Sequence, residues 1–157
     1  IHVNKTSLGE TNEEQEDVIS RILYFVEHHW NELLKFSRRS EATMSRWASR
    51  YGYENTPRAI LDKAKKGNYG RYAAVNLCNY STIEFRLFRG TLKHNTLIAA
   101  LQLVNEICNA AVFMSDEDIQ KLSWSEFVSD INDTELIQYL KERSLYINER
   151  INTEEDI

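Results

Sequence analysis

The sequence is poor in whatever interrupts regular structure. One proline and five glycines in 157 residues exclude collagen-like and low-complexity chains. Two cysteines, Cys78 and Cys108, are too few for a disulfide scaffold and lack metal-type spacing. A reducing cytoplasm is therefore the expected compartment. No apolar run approaches the roughly 20 residues of a membrane helix, so no membrane partner is expected. No charged-then-apolar leader opens the chain. A nucleophile elbow, a P-loop and a dinucleotide-binding glycine turn are all missing. What is present is ordinary: 42% hydrophobic and 27% charged residues exclude a disordered chain. The length suits one domain with its own core. The chain starts at Ile1 in a strand-like stretch, so it reads as a piece of something longer.

Charge is unevenly spread. Residues 1–34 carry a net −5, residues 35–71 a net +7, residues 72–114 a net +1 and residues 115–157 a net −8. A basic middle between acidic flanks marks an anion site or, more plainly, a set of solvated helix faces.

The pattern predicts mostly helices. Thr11 to Glu14 fits a capping box that opens a long helix to about Phe36. A second helix is expected over Ser40–Tyr51, with Met44, Trp47, Ala48 and Tyr51 on its core side. Thr56-Pro57 starts a third that ends at Lys66, with Gly67 as a natural residue to follow it. Residues 69–78 and 82–89 read as a hairpin. A buried helix follows over Asn95–Met114, then a short helix capped by Ser123, then a last one over Thr134–Glu149. The tail Asn152–Ile157 is expected to fray. With a strand stub at Ile1–Asn4, the fold class is α+β: an antiparallel sheet portion, one hairpin plus the stub, packed by several α-helices.

Chemistry concentrates in Thr82-Ile83-Glu84-Phe85-Arg86-Leu87-Phe88-Arg89. Alternation puts Ile83, Phe85 and Leu87 on a core face and Glu84 and Arg86 on the other. Glu84 can ligate a hard divalent cation, and Arg86 can clamp a phosphate or carboxylate. A surface ion pair is the plain alternative. A three-residue loop, 79–81, would set Asn76 across from Glu84 and keep Val75 and Leu77 with the apolar set, whereas one slip flips the face. Arg71 would need a bulge at Gly70 to join them. His2 and Asn4 share one face of the stub, as a metal ligand and a ligand contact. Arg38-Arg39 closes the first helix as an anion clamp or as a favourable helix-end charge. His28 and His29 point apart and read as surface or core residues.

Together these pieces resemble the amidoligase family, carboxylate–amine ligases related to glutamine synthetase and glutamate–cysteine ligase. The likeness runs from His2-Val3-Asn4 through Phe36-Ser37-Arg38-Arg39 to the stretch Arg71–Leu92. It implies a glutamine synthetase-like catalytic domain whose C-terminal part is residues 1–114, with 115–157 as an acidic helical extension. It implies ATP and Mg²⁺, an acyl-phosphate intermediate, and as substrates an amine and a small-molecule or peptide carboxylate. By position, Glu84 and His2 would be metal ligands, Arg86 and Arg71 catalytic, and Arg39, Asn76, Arg89 and Asn4 substrate or phosphate contacts. Related ligases often form homo-oligomers, and a bacterial or phage source would suit such an enzyme. The family's strand of paired glutamates is missing, so the chain alone is expected to bind Mg–ATP weakly and turn over little or nothing. Two other readings remain: a non-catalytic assembly domain on the same scaffold, and a nucleic-acid-binding module using residues 35–71.

Overall fold

The computed structural model describes residues 1–67 and 69–146. It is α+β: eight α-helices around a three-stranded antiparallel sheet, among the described residues. Strand β1 is His2–Asn4, β2 Val75–Asn76 and β3 Thr82–Phe85, in the order β1-β3-β2. The helices are α1 Asn12–His28, α2 Trp30–Ser37, α3 Glu41–Trp47, α4 Pro57–Lys66, α5 His94–Phe113, α6 Asp116–Lys121, α7 Trp124–Ser129 and α8 Thr134–Glu142.

The Thr11 capping box forms as expected, with both reciprocal bonds to Glu14. The helix it opens does not run unbroken to Phe36. His29 leaves helical geometry at φ −111°, although its N–H still reaches Phe25 O and its carbonyl still accepts from Leu33 N. Its imidazole is buried against Phe25 and Trp124, and that burial lowers its pKa, against a smaller opposing pull from Glu32. His28 faces the other way, stacked on Tyr24.

The second helix is also shorter than expected. It starts at the Ser40 cap but stops at Trp47, because Ser49 bridges in parallel to Ala73. Met44, Ala48 and Tyr51 are buried, whereas Trp47 is exposed rather than core-facing. The Thr56-Pro57 start of α4 holds. Its end at Lys66 holds too, with Gly67 directly after it, extended at φ −81° and ψ 158°. Glycine is needed there for space, since an added Cβ would collide with the Tyr69 ring. Gly70, at φ +62°, is the left-handed position, and it opens a 3-10 turn over Gly70–Tyr72 where a strand was expected.

Helix α5 forms, but it is not buried all round. Ala99, Leu103, Ile107 and Ala111 are enclosed, whereas Leu97, Leu101 and Phe113 are exposed. By length and composition α5 is apolar enough to cross a membrane, contrary to the expectation that no such stretch exists. Its enclosed side belongs to the same core as Ile22, Ile83 and Leu136, an arrangement compatible with a core helix. Helix α6, capped by Ser115 with three acidic residues in its first turn, was not anticipated. Ser123 caps α7, although its hydroxyl bonds the Glu126 side chain in place of a reciprocal backbone bond. Helix α8 ends at Glu142 rather than Glu149, and Ser144 turns left-handed just after it. The expected frayed tail lies outside the described residues. Arg143 then donates twice to Lys35 O, near the end of α2.

One contact between α5 and α8 is set against folding at neutral pH. Glu106 of α5 faces Asp133, the residue before α8, and Asp133 Oδ2 is buried without a hydrogen-bond partner among the described residues. Burial first, and then the Asp133 carboxylate, push Glu106 up to about 7. The folded state thus holds a proton that the unfolded chain releases near pH 4.3, at about the usual carboxylate value. The contact favours the fold at acid pH, and that contribution fades as pH rises through about 7. Glu106→Gln should leave stability at pH 4 nearly unchanged and raise it at pH 8. After allowance for solvent screening the gain is about 1 kcal/mol, read in thermal melts as about 2–4 °C in Tm.

Candidate functional site

The sheet has an inner and an outer face. Ile83, Phe85 and Val75 point inward and are buried. Antiparallel pairing sets His2 opposite Glu84 on one side and Asn76 opposite Glu84 on the other. The expected hairpin register is therefore the observed one, although both of its strands are shorter than predicted. Cross-strand partners share a face, so His2, Glu84 and Asn76 form one row across all three strands. Asn4 lies on that face two residues along β1, exposed and opposite Thr82.

Glu84 is the hub. His2 Nε2 lies 3.2 Å from its Oε2. Asn76 Nδ2 donates to Oε1 at 3.1 Å, and an Arg86 guanidinium N–H donates to the same oxygen at 3.2 Å. Partial burial alone would raise the Glu84 carboxyl. The bonds from Asn76 and Arg86, with the charges of Arg86 and His2, outweigh it and hold the pKa below the usual carboxylate value. Glu84 is thus an anion at neutral pH, and His2 forms an ion pair with it only when protonated. The other His2 ring nitrogen, Nδ1, meets Thr82 Oγ1 at 3.1 Å, a partner that strand alternation makes available but that sequence reading missed.

Asn76 is buried, and both ends of its amide are used: the carbonyl accepts from Cys78 N at 2.9 Å while the NH₂ holds Glu84. It orients the carboxylate rather than reaching outward. Arg86 also donates from Nε to Trp47 O at 3.2 Å and lies over the Tyr72 ring at 5.2 Å. Trp47 and Tyr72 meet edge to face at 5.5 Å, both exposed, with Arg46 over Trp47 and Arg71 over Tyr72. Arg71 therefore stands on the 3-10 turn, in contact with Tyr72 and not on a strand beside Glu84. The contact between the two rings is not legible in the sequence, because Trp47 falls on a helical stripe that reads as core.

Arg39 is a brace. Its guanidinium donates to Arg86 O at 3.1 Å and Phe88 O at 2.9 Å, holding the end of β3 to the end of α2. Burial first, then the nearby charges of Arg86 and Arg89, lower its pKa. Arg39→Ala should cost about 2 kcal/mol in urea unfolding, since each charge-assisted bond to a carbonyl is worth about 1.5–3 kcal/mol less what water returns. Arg39→Lys, with no fork to span both carbonyls, should recover only part of the loss. Arg89 is exposed and lines a cavity with Phe85, a residue of the inner face.

Among the described residues, four of the ten cations in the basic middle are in ion pairs. Lys65 and Arg58 both reach Glu16, Arg58 also reaches Asp62, Lys63 reaches Glu54, and Arg50 reaches Glu27. Arg50, Arg58 and Lys65 thus answer acids of the first segment. Neither cysteine is placed for chemistry in this row: Cys108 is buried, and burial pushes its thiol up to about 12. No cluster of three or more His, Cys, Asp or Glu suited to a metal occurs among the described residues.

In comparisons with protein-family models, curated proteins and solved structures, nothing matches the chain.

Proposed function

We propose that this chain carries part of the catalytic face of an ATP- and Mg²⁺-dependent carboxylate–amine ligase. The observation behind this reading is the row His2–Glu84–Asn76 with Arg86 beside it. Residues 2, 76 and 84 come from three separate strands and Arg86 follows directly on β3; each was a candidate both on its own chemistry and by the family resemblance.

The donor set fits Mg²⁺ in the way phosphate enzymes commonly use it: one carboxylate, with water and nucleotide phosphate filling the remaining positions. Glu84 would hold the ion and His2 would stand beside it. The bound ion would neutralise charge on the transferring phosphoryl group. Arg86 would contact the phosphate, exchanging its bond to Glu84 for one to the ligand. Asn76 keeps Glu84 aimed outward. Trp47 and Tyr72, edged by Arg46 and Arg71, offer a stacking surface for a nucleobase.

In the reaction a substrate carboxylate oxygen attacks the γ-phosphorus of ATP and ADP leaves. The amine nitrogen then attacks the acyl carbon, inorganic phosphate departs, and the amine proton passes to solvent. The chain's part is positioning and charge stabilisation, which carry most of phosphoryl-transfer catalysis. The acid is a small-molecule or peptide carboxylate, and the setting is the cytoplasm. The test is ADP release by the whole gene product across a panel of acids and amines. Release that requires both an acid and an amine supports the reading. Release indifferent to both, or none with any pair, contradicts it.

A further inference from the structure

A second site lies on the opposite side of the sheet. The inner-face residue Phe85, with Phe88, Leu97 and the ends of α2, α5 and α8, encloses an open cavity of about 610 Å³. Its floor is apolar and braced. Phe36 packs edge-on against Phe88 at 5.8 Å and Tyr139 at 4.6 Å, and the Tyr139 hydroxyl is committed to Phe36 O. Three cations stand at its margin: Arg38, Arg89 and Lys93. Among the described residues no carboxylate lines it, and none of the three forms an ion pair. That separates them from Arg50, Arg58, Lys63 and Lys65, which are all paired. Glu142 lines the adjoining cavity, which Arg38, Lys93 and Arg143 also line, and accepts from Gln138.

Three cationic side chains without an ion pair among the described residues, around an apolar floor, favour an anionic guest. The volume falls within the range of small-molecule pockets, which combine apolar walls with a few converging polar groups. Arginine forks suit a planar carboxylate. Arg38 is held at φ 61°, a left-handed conformation uncommon for arginine, as it ends α2 at the cavity margin.

We infer that this cavity binds an organic carboxylate with an apolar body of about phenyl size, its head group between Arg38, Arg89 and Lys93 and its body over Phe85, Phe88 and Leu97. The inference uses none of the Glu84 row and stands or falls apart from the ligase reading.

Calorimetric titration of the full chain with 3-phenylpropionate tests it, with acetate, inorganic phosphate and neutral 3-phenylpropanamide as comparisons. Binding of 3-phenylpropionate at least 10-fold tighter than all three is expected, weakened at least 10-fold in the double variant Arg89→Glu, Lys93→Glu. Both residues are exposed, and an unchanged circular dichroism melt verifies the fold. Four results would overturn the proposal: no binding of 3-phenylpropionate, equal binding of the amide, equal or tighter binding of acetate or phosphate, or full affinity in the double variant.

Discussion

Glu84→Gln is expected to lower ATP-dependent amide formation by about 100-fold or more, with little change in stability. The size follows from removing the one carboxylate in the row, where loss of a single charge-stabilising group costs about 10²–10³. The glutamine substitution separates chemistry from folding. Its amide oxygen can still accept from Asn76 and Arg86, the two bonds that Glu84 Oε1 receives. What disappears is the negative charge and with it a good ligand for a hard cation. Glu84→Ala is the harsher variant, because Arg86 and Asn76 lose their shared acceptor as well. Its Michaelis constant for Mg–ATP should rise along with the fall in kcat, because the missing group binds the nucleotide's cation before the reaction as well as during it. Unchanged ADP release in Glu84→Ala would remove Glu84 from the site.

The largest stability effect is expected at Glu27. This carboxylate is 1% exposed on α1 and accepts Tyr51 N at 2.9 Å through Oε1 and Arg50 Nε at 3.0 Å through Oε2. Arg50 also donates to Glu27 O, and its guanidinium lies over the Trp30 and Tyr53 rings. Glu27→Ala leaves a buried N–H and a partly buried guanidinium without their acceptor. Breaking a buried pair from one side typically costs about 3–5 kcal/mol. The consequence reaches the sheet, because Tyr51 Oη donates to Val75 O on β2, next to Asn76. A chain that folds without Glu27 should therefore hold Glu84 less firmly. Glu16→Ala, which removes the exposed partner of Lys65 and Arg58, should cost less than about 1 kcal/mol. Urea unfolding of the two variants side by side gives the contrast. Equal losses would show that the Glu27 network is not what holds residues 50–75 to α1.

Those two sites also show what a sequence discloses. The Asn76–Glu84 pairing was legible because two local rules meet there. Side chains alternate along a strand, and a three-residue loop allows one register that keeps Val75 with the apolar set. Both observations are short-range. The capping boxes and the Thr56-Pro57 start are legible for the same reason. The contacts missed all depend on partners distant in the chain. Trp47 lies on a helical stripe, but α3 ends one residue later because Ser49 pairs with Ala73, and the ring turns outward to meet Tyr72. Arg71 falls in a β-like run that Gly70 converts into a turn. His29 reads as surface or core, and only the packing of Phe25 and Trp124 decides for core. Arg39 reads as a helix-end charge or an anion clamp, yet its fork is spent on the Arg86 and Phe88 carbonyls. The basic middle looked available for an anion until α4 packed along the acidic side of α1.

The most direct test is calorimetric titration of Mg–ATP into the whole gene product and into its Glu84→Gln variant, with EDTA-treated samples alongside. Saturable, Mg²⁺-dependent binding that weakens at least 10-fold in the variant is the predicted result. Equal affinity in the two proteins, or no heat in either, would contradict a nucleotide site on this face and favour a scaffold kept for assembly alone.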